Sequence, residues 1–252
     1  MAKLQTIVNF LDKELKNGDY DDSSNNGLQV ENSGEVRKIC CGVDATLKFF
    51  HAARKRNAGL LVCHHGLSWD DSLKRITALN YKRVSYLIKN DLALYACHLP
   101  LDGHPRHGNN VLIAKAAGLT GLRKFAKHGG REIGVIGKLP KPVRYERFKK
   151  RIRRLMDNPL KTMDFGKRTI STVAIVSGGA GSDLARAAEQ GADVYLSGEP
   201  TLAAYGDAED CGINGVFAGH YATETFGVKA LAALLKRKFK VDTEFVDLGI
   251  GF

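Results

Sequence analysis

The chain has 252 residues, with 38 Lys plus Arg against 27 Asp plus Glu, a formal net charge of +11. That length suits one large or two modest domains, and 44% hydrophobic with 26% charged residues is a globular composition that excludes a disordered chain. No apolar run approaches the ~18 residues of a membrane span, no secretory signal core is visible, and the five Cys lack C-x-x-C spacing and sit mostly in apolar runs, which reads as reduced core thiols of a cytoplasmic protein.

Leu4, Ile7, Val8, Leu11 and Leu15 recur near i, i+3, i+4 and i+7, so the chain opens on an amphipathic helix ending near Gly18. A polar loop from Asp21 to Gly27 leads into Leu28-Gln29-Val30. Residues 37–43 form a buried strand, 46–57 a helix with Thr46 or Asp44 as N-cap, and 59–63 a second buried strand. A helix near 73–90, a third buried strand at 92–97 and a short helix at 110–117 closed by Gly118 follow.

The charge is concentrated in what comes next. Residues 121–170 carry 16 basic and 4 acidic side chains, whereas 1–120 carry 16 and 12, and 171–252 carry 6 and 11. Within this basic segment 132–138 reads as strand and about 143–156 as helix. Tyr145, Phe148, Ile152 and Leu155 give that helix one apolar stripe for a core. Its other face is densely cationic, either simply solvated or able to attract phosphates or nucleic acid, although no recognised nucleic-acid-binding motif accompanies it.

Beyond the segment, a strand at 172–177 runs into Gly178-Gly179-Ala180-Gly181, a tight turn or a phosphate cradle, but without Walker spacing. A helix at 183–190, a strand at 193–196, a helix at 201–209, a strand at 215–218, a helix at 224–236 and an alternating strand at 241–246 complete the chain. Short buried strands alternating with helices are the pattern of α/β sheets with parallel neighbours.

Ligand-type residues stand where such strands end, which is where open α/β sheets gather ligands. His64 and His65 follow the strand at 59–63. His98 and then Asp102 follow the strand at 92–97. His220 and Glu224, four apart on the start of a helix, follow the strand at 215–218. Each has an ordinary alternative: His98 could bond a loop carbonyl, Asp102 could cap the turn at Gly103, and Glu224 could be a favourable first-turn acid. Taken together, His64, His65, Asp102, His220 and Glu224 mix imidazoles with carboxylates. That set suits Zn, Fe, Mn or Co, not Ca²⁺ or Mg²⁺. Five ligands exceed a closed tetrahedral site and match two divalent metal ions bridged by a carboxylate, an arrangement that prepares water for hydrolysis. His104 and His107 flank Pro105-Arg106 on a loop nearby, and Trp69 with Asp70 and Asp71 follows the His-His block.

The chain resembles the NIF-three-like dinuclear-metal-centre proteins, the GTP cyclohydrolase 1 type 2 homologues. The resemblance is carried by Asn26 to Val30, Gly42 to Thr46, Cys63-His64-His65-Gly66, and His98 to Pro105 with Gly108-Asn109-Asn110. Ser197-Gly198-Glu199 and Gly219 to Glu224 complete it. It implies that His64, His65, Asp102, His220 and Glu224 are the metal ligands and that His98 lies beside the metals. It also implies a toroidal homo-hexamer with its sites facing an internal cavity. The chain is too short for the inserted domain of some members.

The expectation is therefore an α/β protein of two related α/β domains with a metal site in the cleft between them. Residues 1–126 plus 215–252 would form the metal-binding domain, and 127–214 the second domain with the basic segment. The expected function is a dinuclear metal-dependent hydrolase of a small anionic, nucleotide-like substrate, with His98 or His104 as proton shuttle. The alternative is a metal-binding regulatory protein that contacts nucleic acid or protein through residues 121–170.

Overall fold

The structure is a computed structural model that describes residues 1–252. In chain order the elements are β1 (Ala2–Lys3), α1 (Leu4–Leu15), β2 (Gly27–Val30), β3 (Glu35–Val36), β4 (Lys38–Asp44), α2 (Leu47–Lys55), β5 (Leu60–His65), α3 (Ala78–Lys89), β6 (Ala93–Ala96), α4 (Leu99–Asp102), α5 (Asn109–Ala116), β7 (Thr120–His128) and β8 (Arg131–Arg144). There follow α6 (Tyr145–Met156), β9 (Lys161–Asp164), β10 (Thr169–Ile175), α7 (Leu184–Glu189), β11 (Val194–Ser197), α8 (Leu202–Cys211), β12 (Asn214–Phe217), α9 (His220–Phe239) and β13 (Asp242–Phe245). No helix is long and apolar enough to cross a membrane.

The chain divides into two compact α/β units. The first is Met1–Leu101 with Gly227–Gly249, and the second is Asp102–Phe226 with Ile250–Phe252. The second unit begins and ends outside the 127–214 read from the basic segment. Its sheet takes in β7 as the partner of β8, and α5 packs on that hairpin.

The first unit is built on a five-stranded sheet of order β13-β4-β5-β6-β2. β13, β4, β5 and β6 are parallel, and β2 closes the edge antiparallel to β6. The central strands are continuous apolar runs because helices cover both faces of a parallel sheet. Phe49, Phe50, Leu61, Leu87, Leu92 and Leu94 are fully buried in the core this creates. α2 is capped by Thr46, whose Oγ1 accepts the Phe49 N–H at 3.3 Å.

The second unit has a six-stranded sheet of order β7-β8-β10-β11-β12-β9. Only β10, β11 and β12 are parallel; β8, β7 and β9 join antiparallel. The cationic helix α6 buries Tyr145, Phe148, Ile152 and Met156, so its apolar stripe does face a core.

Several boundaries differ from the sequence expectation. β7 and β9 are strands that the pattern did not show, and β8 runs from 131 to 144 where 132–138 was expected. Helix α3 starts only at Ala78, and α9 begins already at His220. Four cysteines are buried as core thiols, but Cys211 is exposed at the end of α8.

Candidate metal centre

Parallel register builds the cluster of the first unit. Cys63 pairs with Ala96, so residues two positions on, His65 and His98, emerge side by side at the carboxyl ends of β5 and β6. His64, His65 and His98 each offer a ring nitrogen, and these lie within 4.8 Å of one another. Ring centroids are 4.7 Å apart for His64 and His65, and 5.1 Å for His64 and His98. His64 is completely buried, whereas His65 and His98 are partly accessible.

Each of these rings is held through Nδ1 by an oxygen acceptor. His64 Nδ1 lies 2.9 Å from the Cys97 carbonyl, His65 Nδ1 2.8 Å from Asp44 Oδ1, and His98 Nδ1 2.9 Å from Asp22 Oδ1. An acceptor there keeps the proton on Nδ1 and leaves the Nε2 lone pair as the donor, the way metal-binding histidines are oriented. Asp22 is itself well placed. Its burial would raise its pKa, but His98 and the Asn26 amide hold it below the ordinary value. Its Oδ2 also accepts the Leu99 N–H.

The second unit gathers the remaining donors. His220 and Glu224 stand one turn apart at the start of α9, with Nε2 3.1 Å from Oε1. Two ligands each ~2.0–2.2 Å from one ion are roughly 3–3.5 Å apart, so this spacing fits a shared ion. The other nitrogen of His220 contacts Glu199 Oε1 at 2.8 Å, just past the end of β11. Burial alone would lower the His220 pKa, but Glu224 and Glu199 raise it to about 9. An imidazole facing two carboxylates is a place that calls for a cation.

Asp102 completes this group, with a carboxylate oxygen within 4.8 Å of Glu224. It is buried at the end of α4, and its Oδ1 accepts from Asn109 Nδ2 and Ser177 Oγ, both at 2.8 Å. Asn110 locks the same corner: its Oδ1 accepts the Ser177 N–H at 2.6 Å. Gly178 follows. A Cβ there would lie 2.3 Å from Glu224 Oε1, and the residue's φ is +70°, so only glycine fits under the carboxylate. The glycine run after β10 thus serves the donor cluster.

His104 is built differently. It is buried, and its Nδ1 accepts the backbone N–H groups of Arg106 and His107 at 3.2 and 3.0 Å, so its proton sits on Nε2. It lines a cavity with Asp102 in the second unit.

Both clusters fit a divalent transition metal by donor chemistry: imidazoles oriented so that Nε2 is the donor, and carboxylates already held in place. A profile of the Duf34/NIF3 (NGG1p interacting factor 3) family matches residues 2–249. The chain belongs to the NIF3 family. The resemblance read from the sequence blocks is thereby borne out. This NIF3 chain is 40% identical over 245 residues to a protein of Deinococcus radiodurans named GTP cyclohydrolase 1 type 2 homolog, covering 97% of this chain and 93% of that one. A protein of the same name from Pyrococcus abyssi is 40% identical over 248 residues, covering 98% of each. The fold matches the crystal structure of TTHA1606 from Thermus thermophilus with a TM-score of 0.90 and 34% identity, each chain fully covered. It also matches a solved structure of protein ybgI, described as of unknown function, with a TM-score of 0.93 and 29% identity over the whole of both chains.

The residues that sequence reasoning missed are the holders of the NIF3 donors. Of the two N-cap candidates, Thr46 caps α2, and Asp44 instead holds His65. Glu199 and Asn109 stood in the family blocks without a role. Asp22 and Ser177 were not singled out.

Proposed function

We propose that the two clusters are halves of one dinuclear centre, with His64, His65, Asp102, His220 and Glu224 as ligands of two divalent ions (Zn, Fe, Mn or Co). The observation that carries this reading is the shared orientation of the histidines. His64, His65 and His220 each have Nδ1 committed to an oxygen, so each offers Nε2. When bound, such a pair of ions supplies Lewis acidity and a water acidic enough to act as a nucleophile near neutral pH.

The reaction proposed is hydrolysis of a small anionic, nucleotide-like substrate, GTP being the one suggested by the names of the relatives. His98 serves as the proton shuttle at Nε2, because Asp22 holds Nδ1 and fixes the ring's orientation. His104 is the second proton carrier, also through Nε2. The protein acts in the cytoplasm, where its thiols stay reduced. It assembles as a homo-hexamer, for which Leu79, Ile88, Leu202 and Tyr205 provide exposed apolar surface.

Elemental analysis of the protein as isolated, with a nucleotide-hydrolysis screen on the same sample, tests the reading. The expected result is about two transition-metal ions per chain and a hydrolysis lost with chelator and with Glu224→Ala. A protein that neither carries nor takes up such ions refutes it. One observation favours a second reading: Arg147, Lys150, Arg153 and Arg154 are exposed on α6. Salt-sensitive nucleic-acid binding that survives Glu224→Ala and disappears on neutralising Arg147, Lys150 and Arg154 would establish that function instead.

A further inference from the structure

Beside Asp102 the second unit holds a partly open cavity of about 150 Å³, lined by Asp102 and His104 together with residues of the β7–β8 hairpin. Leu122 and Val135 give it an apolar floor. Lys124, opposite Val135 in the hairpin register, brings its ammonium to the wall and donates to the Gly103 carbonyl at 2.7 Å. That bond uses one of three ammonium donors, and the partner is a carbonyl, not a carboxylate. Partial burial lowers the Lys124 pKa, against which the charge of Glu132 on β8 raises it. Its neighbour Arg123 is already committed to the side chain and carbonyl of Gln190.

We propose that this cavity is an oxyanion pocket in which Lys124 binds one phosphoryl group of the substrate, next to the Asp102 side of the metal centre. The inference deepens the proposed function and rests on Asp102 being a metal ligand. Without a cation, the Asp102 carboxylate would repel an anion in the same cavity; on an ion, and with Asn109 and Ser177 donating to it, its charge is offset. Size decides how much of the substrate enters. At ~30 Å³ per water, the space equals about five waters. That holds a phosphate group and a few more atoms, well short of a nucleotide, which needs a site of roughly 300 Å³ or more. The pocket therefore grips one end of the substrate. His104 lines the same cavity.

The test is calorimetric titration of inorganic phosphate into metal-loaded, desalted protein, with metal content measured on every sample. Wild type and Lys124→Arg are expected to bind phosphate. Lys124→Met is expected to bind it about ten- to a hundredfold more weakly, the loss typical of a charge-assisted hydrogen bond. Lys124→Gln separates charge from tether, because an amide can still donate to the Gly103 carbonyl. It should bind as weakly as Lys124→Met while holding the same metal. Equal binding by wild type and Lys124→Met overturns the pocket, since phosphate would then sit on the ions alone. Full binding by Lys124→Gln overturns the role of the charge, and no binding by wild type overturns the pocket outright. If no sample takes up metal, the dinuclear reading fails and the pocket, which needs an ion to offset Asp102, fails with it. Metal-loaded protein whose phosphate binding ignores Lys124 overturns the pocket alone and leaves the dinuclear reading standing.

Discussion

The carboxylates behind His65 and His220 offer a direct measure of how the donors are tuned. Asp44→Asn and Glu199→Gln keep size and an acceptor oxygen, and remove only the charge. Both native contacts to Nδ1 are 2.8 Å long. Loss of such a partner typically weakens metal binding ten- to a hundredfold, about 1.4–2.7 kcal/mol. The Asp44 side chain is 31% exposed and that of Glu199 34%, so water screens both and places the effect near the lower end, about tenfold. The same exposure means that no buried charge is orphaned, and the fold should survive. Competition against a chromophoric chelator measures the affinity, and thermal melting of metal-stripped protein checks the fold. If the ions are shared between the clusters, each single substitution weakens both binding steps. If each unit kept its own ion, each substitution would weaken one. An affinity within twofold of wild type for both variants would refute the argument that these carboxylates tune the rings.

Two further outcomes follow from the second unit. Gly178→Ala should lower metal affinity more than it lowers stability, because its Cβ would meet Glu224 Oε1 and His220 Nε2 at 2.3 and 3.1 Å; chelator competition beside a melting curve checks this. Asp193 accepts the N–H groups of Ser171 and Thr172 at 2.8 and 3.0 Å and pairs with Lys167 at 2.7 Å. Burial would raise its pKa, but Lys167 and those N–H groups hold it below the ordinary value. A depressed folded pKa means stability that is present above the unfolded value and lost as pH falls through the folded one. Asp193→Ala should therefore cost about 2–3 kcal/mol in urea unfolding at pH 7, with the gap to wild type narrowing as the buffer falls below pH ~3.8.

The buried parallel strands were legible because their signal is local. Ile39-Cys40-Cys41, Leu60 to Cys63 and Ala93 to Ala96 are unbroken apolar runs; His64 and His65 follow the second directly, and His98 comes one residue past the third. β7 was not legible because most of its residues are exposed and two of the most prominent are Arg123 and Lys124, so no alternation shows. The turn that follows did carry a signal. Gly129 and Gly130 adopt φ of +53° and +76°, the left-handed pair that a two-residue hairpin requires. β9 hid for a simpler reason, since only Met163 of its four residues is buried. The acids that hold the histidines were illegible on different grounds. Asp22 lies 76 residues from His98, and nothing in either segment alone announces the pairing.

One regularity emerges only when ladder and hydrogen bonds are taken together. Asp44 and Glu199 each sit at or just beyond the carboxyl end of a parallel strand, β4 or β11. Two residues later Thr46 and Thr201 cap the next helix, each accepting an N–H three residues on. The helix returns the chain to the adjacent parallel strand, β5 or β12, and 21 residues after the acid comes the histidine it binds, His65 or His220. Acid, capping threonine and histidine thus recur with the same spacing in both units. A βαβ unit of fixed length is what makes this spacing work, because the strand register and the helix length together decide which residue emerges opposite the acid. The chain therefore orients a metal-type histidine twice by one device. In each unit the carboxylate that was hardest to recognise from the sequence is as much a part of that device as the histidine that was easiest.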